Sequence, residues 1–207
     1  MQFVPTYLRQ VCDAIDALPV HQINKIVDVL LQVRRQGRTV FLCGNGGSAA
    51  TASHMACDLA KNTILPKTPS FRVIALTDNI PLMTAWGNDT DYANIFAEQL
   101  KSLAQPGDLL IAISASGNSP NVLRAIQVAK ASGAMSVGFT NKYGGQVKDM
   151  VDYCVRVPCT IIEQVEDAHM VLAHCIASAI RDKLIQRQNS NGVASVPSKA
   201  TTKVLSE

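Results

Sequence analysis

Five short apolar runs, each leading into a stretch with helical periodicity, constrain this chain more than any other feature of it. They are "TVFLCG" (39–44), "FRVIALTD" (71–78), "DLLIAIS" (108–114), "MSVGFTN" (135–141) and "DYCVRVP" (152–158). Between them lie "SAATASHMACDLAKN", a segment containing "YANIFAEQLKSLA", then "NVLRAIQVAKASG" and the short "GGQVKDMV". Continuous apolar strands alternating with helices imply a parallel sheet covered on both faces, because each crossover helix must lie over the sheet it connects. The fold class is therefore α/β, a three-layer αβα sandwich on a five-stranded parallel sheet.

Two further helices precede the first strand. "YLRQVCDAIDAL" and "INKIVDVLLQVRRQG" place apolar residues three and four apart, with a break at Pro19 and a stop at Gly37. Their stripes have no evident partner inside a three-layer domain, so residues 1–36 are expected to pack against other copies of the chain. Residues 37–188 form the α/β domain, closing with a long helix from Ile162 to Gln188. The polar segment 189–207, "NSNGVASVPSKATTKVLSE", reads as a disordered tail. There is no internal repeat.

The 19 basic and 16 acidic residues are spread along the 207 positions, with no basic cluster or helix of the kind nucleic acid requires. No stretch approaches the ~18 apolar residues of a membrane span, and "MQFVPTYLRQ" lacks the layout of a signal peptide. None of the six cysteines forms a C-x-x-C pair, and "TVFLCG" and "AHCIASAI" place two inside apolar runs. Structural thiols in a reducing compartment are expected, hence a cytoplasmic protein.

Two loops follow strand ends and open helices: "GNGGSAA" (44–50) and "SASGNS" (114–119). Unpaired N–H groups at a helix N-terminus attract an anion, and ligands in open parallel sheets bind beyond the carboxyl ends of the strands. Gly44, Gly46 and Gly47 permit close backbone approach, while Ser48, Ser114, Ser116 and Ser119 add hydroxyls. Either loop alone reads equally well as an ordinary cap or turn; two on one sheet edge favour an anion site. The spacing is not G-x-G-x-x-G and no G-K-[ST] is present, which disfavours dinucleotides and triphosphates. Serines without lysine suit a phosphate monoester.

With "GNGGSAATASH", "ALTDN", "WGND", "ISASGNS" and "EDAHMVLAH", the chain from about residue 5 to 187 resembles the sugar isomerase (SIS) domain family. Within it, the likeness is to the isomerases of sedoheptulose 7-phosphate, which form a heptose 7-phosphate by aldose–ketose isomerisation. The resemblance implies a homotetramer and a zinc ion in each subunit. It also implies substrate contacts from Asn45, Gly46, Gly47, Ser48, Asp89, Ser114, Ala115, Ser116, Ser119 and Glu166. His54, Asp58, Glu166 and His174 would hold the metal, with Asp58 and His174 catalytic.

Isomerisation through an enediol needs a base, an acid and a group that polarises the carbonyl. His54 and Asp58, four residues apart, share one helix face, as two ligands or a base and its orienter should; a surface pair is the plainer alternative. Glu166 and His174 are eight residues apart, about 12 Å along a helix, so Asp167 competes with Glu166 for the same role. His169 reads as a core or interface residue, His21 as solvated, and Trp86 as core.

Against the family pattern, Asp58 replaces Glu, Glu166 replaces Gln, Asn62 replaces Arg and Ala115 replaces Thr. A phosphosugar-binding module without catalysis, as in regulators or a partner of the bacterial replication initiator, is the alternative function. The complete His/acid set favours the enzyme.

Overall fold

The structure is a computed structural model and describes residues 2–190. In chain order it comprises α1 (Phe3–Asp16), α2 (Val20–Arg35), β1 (Thr39–Gly44), α3 (Gly47–Cys57), a π-helical turn (Asp58–Asn62), β2 (Arg72–Ala75) and α4 (Ile80–Asp89). A 3₁₀ turn (Tyr92–Asn94), α5 (Ala97–Leu103), β3 (Leu109–Ile113), α6 (Pro120–Ala131) and β4 (Met135–Thr140) follow, then α7 (Val147–Met150), β5 (Tyr153–Arg156) and α8 (Ile162–Ser190).

The five strands pair in the order β2-β1-β3-β4-β5, all parallel, as the apolar runs imply. Every residue of β3 is buried, which is why "LLIAI" carries no alternation: helices cover both its faces. α2, α3 and α8 cover one face, where Leu30, Leu42, Met55, Ile111 and Ile176 meet in a common core. α5 and α6 cover the other, around Phe41, Phe96, Leu110 and Ile126. Each such side chain withdrawn from water contributes roughly 1.5–3 kcal/mol before entropy is charged.

The two N-terminal helices divide. The stripe of α2, from Ile23 to Val33, is buried against the chain's own sheet and α8, so this helix belongs to the domain core. The reading that left its stripe without a partner missed that α2 fills the layer beside α8. α1 buries only Ala14 and leaves Phe3, Val4 and Leu8 exposed. α8 runs two residues past the expected Gln188 and so takes in the first two residues of the expected tail; residues 191–207 lie outside the described residues.

All six cysteines are free. Cys43 is fully buried, and burial pushes its thiol up to about 12. Cys175 is exposed, although "AHCIASAI" looks apolar throughout, because it falls on the outer side of α8. Among the described residues, no helix is long and apolar enough to cross a membrane.

Candidate active site

Between β1 and β3 the strand order reverses, since β2 lies on one side and β4 on the other, and open α/β sheets bind ligands beyond the carboxyl ends of the strands at such a point. Gly44 and Ile113 sit opposite each other there, so the two expected loops leave the sheet side by side. The first is tight. A Cβ on Gly44 would meet the Ser48 carbonyl at 2.7 Å, and Gly46 takes a left-handed φ of 54°. Ser48 is buried beneath this turn.

Gly47 begins α3, and a Cβ on it would lie 2.3–2.7 Å from the carboxylate of Glu166. That carboxylate, reaching over from α8, therefore rests against the N-terminal turn of α3, where the helix dipole favours negative charge. The first loop thus already faces an anion supplied by the chain.

Asn45 is held rather than free. Its Nδ2 donates to Asn121 Oδ1 at 2.9 Å, and Asn121 Nδ2 donates back to Asn45 Oδ1 at 2.8 Å. The Tyr92 hydroxyl also donates to Asn45 Oδ1, at 3.1 Å. This reciprocal amide pair ties the two loops together. Sequence reading missed Asn121, since an Asn in the first turn of a helix behind Ser119-Pro120 looks like an ordinary helix start.

In the second loop the hydroxyls converge. Ser114 Oγ lies 3.1 Å from Ser119 Oγ and 3.5 Å from Ser116 Oγ, and accepts the Gly117 N–H at 3.2 Å. The loop rests backbone to backbone on Gly144 and Gly145: a Cβ on Gly117 (φ +67°) would stand 2.1 Å from the Gly144 carbonyl. That glycine pair was not singled out from the sequence either. Ala115 accepts the Asn141 N–H through its carbonyl and offers no side-chain donor. Asp89 ends α4, a helix with no buried residue, and accepts a hydrogen bond from its neighbour Asn88.

The third group gathers on α3, the π-helical turn and α8. His54 Nε2 and His174 Nε2 are 2.8 Å apart, and Asp58 Oδ2 lies 3.6 Å from the first and 3.8 Å from the second. At 2.8 Å the two rings can share one proton, one nitrogen donating and the other accepting. The side chains of His54 and His174 are 47% and 52% exposed and that of Asp58 only 11%, so the carboxylate forms the floor and the rings the rim. Asn62, at the end of the π-helical turn, donates to Asp58 Oδ1 at 2.7 Å.

One ligand atom from each of His54, Asp58 and His174 lies within 4.8 Å of the others. Two imidazole nitrogens and a carboxylate oxygen suit a zinc ion with one position left open. Glu166 is not in this group. Two turns before His174 on α8, its carboxylate lies at Gly47 instead, so three of the four expected ligands come together. Asp167 is not an alternative: it accepts the Tyr7 hydroxyl at 2.6 Å, a bond that pushes the phenol up to about 12.

His169 is fully buried, with Nε2 3.4 Å from the Thr140 carbonyl and Nδ1 without a partner, and burial pulls it down to about 4. It is core, as read. His21 is exposed, and Trp86 is half-buried against the α5–α6 side of the core.

Fold and site together define an α/β protein with a serine-rich loop and a His–Asp–His cluster beside a parallel sheet, and comparison with known proteins is specific. A profile of the SIS domain matches residues 6–141, and the chain belongs to that family. Phosphoheptose isomerase of Clostridium acetobutylicum is 37% identical over 169 residues, 82% of this chain and 86% of that protein. The enzyme of the same name from Rhodospirillum rubrum is 40% identical over 150 residues, 72% and 79% of the two chains. Among solved structures, phosphoheptose isomerase from Neisseria gonorrhoeae superposes with a TM-score of 0.80 at 28% identity, covering 86% of this chain and 97% of that one. Relatives at this identity and coverage make the chain an isomerase acting on a sugar phosphate and do not favour the regulatory alternative.

Proposed function

We propose that this chain interconverts sedoheptulose 7-phosphate and an aldoheptose 7-phosphate, working as a zinc-containing homotetramer in the cytoplasm. What supports the reading is a charge-free serine cradle at the carboxyl end of β3 together with a His–Asp–His cluster that begins about two turns along α3 from that edge. The names of the relatives support the choice of sugar.

Ser114, Ser116, Ser119 and the first N–H groups of α6 bind the phosphate, with Asn45 held by Asn121 at the edge of the cradle. Glu166, lying against α3, sets the negative end of the crevice and leaves its oxygens to accept from sugar hydroxyls. Aldose–ketose isomerisation removes a proton from one carbon, delivers one to its neighbour and shifts the carbonyl between their oxygens. Asp58 and His174, 3.8 Å apart, are a carboxylate and an imidazole able to take and return that proton. A zinc ion would draw on the same atoms of His54, Asp58 and His174; it would supply Lewis acidity toward the carbonyl oxygen, and while it is held the proton would pass to other groups.

The test is to incubate the protein with sedoheptulose 7-phosphate, with and without added zinc, and follow aldose formation. His174→Ala and a chelator should each abolish turnover. Tight binding of the sugar phosphate with no turnover under any metal condition overturns the reading.

A further inference from the structure

The other end of the sheet holds a second concentration of charge. α2 and α8 end there beside the segment that joins the π-helical turn to β2, and a cavity of about 320 Å³ opens between them. Arg34, Arg35, Lys67 and Arg187 line it together with Thr68, and Leu31, Leu184, Pro66 and Pro69 give it apolar walls.

Arg34 is the unusual member. It is only 6% exposed, its Nη2 donates to Thr68 Oγ1 at 2.8 Å, its guanidinium stands 5.8 Å from the centre of the Phe71 ring, and its buried Nε has no partner. Burial lowers its affinity for its proton, yet a guanidinium keeps its charge at neutral pH. A buried cation without a counter-charge is expensive.

No carboxylate answers it among the described residues. The single acid of α2, Asp28, is bonded to Lys183 at 2.7 Å, and Asp182 of α8 accepts the Gln186 amide. The crossing segment "TILPKTPS" (63–70) contains no acid. Basic residues in the last turns of α2 and α8 complement the helix dipoles, which accounts for the exposed Arg35 and Arg187. It does not account for Arg34, a buried cation whose guanidinium is bonded only to the neutral Thr68 hydroxyl, in the wall of an open cavity.

We infer that this cavity binds a small organic phosphate, at a site separate from the crevice beyond the carboxyl ends of the strands. Four cations with no acid among them match a dianion, and guanidinium forks suit phosphate oxygens. The apolar walls and a volume near the low end of the usual ligand range, about 300–1,000 Å³, call for an organic body on that phosphate.

Phenyl phosphate is the probe, titrated calorimetrically into the full chain. A Ser114→Ala/Ser116→Ala/Ser119→Ala triple variant removes the hydroxyls of the serine cradle, and one phenyl phosphate per chain should still bind to it. In that background, Arg35→Gln/Arg187→Gln should weaken binding about tenfold or more, and Arg34→Met should abolish it. Arg35 and Arg187 are surface residues, so the double glutamine variant keeps its thermal midpoint and reports on the site even if Arg34→Met unfolds. No binding in the serine-variant background, or binding indifferent to Arg35→Gln/Arg187→Gln, overturns the inference. Inorganic phosphate binding as tightly as phenyl phosphate overturns the organic part of it.

Discussion

Asp58 stands where the resemblance drawn from the sequence expects a glutamate, one methylene longer, so the reach of its carboxylate must come from elsewhere. It opens the π-helical turn and sits nearly buried below the two imidazoles, while the Asn62 amide holds Oδ1 at 2.7 Å and leaves Oδ2 facing both rings. Asn62 thus fixes the carboxylate without touching the ring nitrogens. A group that holds a ligand's carboxylate in place in this way is worth about 10–100-fold in metal affinity. Asn62→Ala is expected to weaken zinc binding by that factor, measured by competition with a chromogenic chelator, while the thermal midpoint of the metal-free protein stays close to that of the parent.

His169 gives a second residue-scale prediction, this one on stability. Its ring, buried against Phe139, holds a proton only below about pH 4 in the folded chain, against about 6.5 when unfolded. Between these values the unfolded chain binds more protons. This contribution is therefore intact above about pH 6.5 and is lost as pH falls toward 4, by about 3 kcal/mol over the window. Urea midpoints measured across that range should fall with acidification. His169→Leu should remove this part of the slope; an identical slope in the variant would dismiss the account.

At the scale of elements, the two loops differ in what stands behind their glycines. At Gly47 an added Cβ meets the flexible end of Glu166, which can swing away. At Gly117 it meets the backbone of Gly144 at 2.1 Å, on a positive φ. Gly47→Ala should therefore keep its stability to within about 1 kcal/mol and lose turnover as Glu166 is displaced. Gly117→Ala should cost about 2 kcal/mol or more and lose phosphate binding as well. Denaturant midpoints beside kinetics separate the two; equal stability losses would mean that the loops are built alike.

The same elements mark what the sequence could tell. The sheet was legible because buried parallel strands need unbroken apolar runs, and His54 with Asp58 because four residues along a helix return to one face. The place of Glu166 was not. Eight residues from His174 it lies about 12 Å along α8, and only the packing of α8 over Gly47 decides what its carboxylate meets. The Asn45–Asn121 pair joins residues 76 apart, and the Gly117–Gly144 contact joins loops from different strands. No local pattern records either one.

For the whole molecule, the open question is what covers α1. Packed on α8 through Ala14 and the Tyr7–Asp167 hydrogen bond, it turns Phe3 (77% exposed), Val4 (64%) and Leu8 (58%) away from the chain. These three lie within six residues on one helix, and leaving them in water forgoes roughly 1.5–3 kcal/mol each for the larger side chains. α4, with no buried residue and Ile80 63% exposed, has the same character. The proposed tetramer would cover these faces with those of other copies. A Phe3→Asp/Leu8→Glu variant should then sediment as a smaller species than the parent at equal concentration, with its helical content unchanged. Turnover should fall along with the assembly if neighbouring subunits complete the crevice. A variant that sediments like the parent would exclude α1 from the contact and leave its apolar face to some other partner.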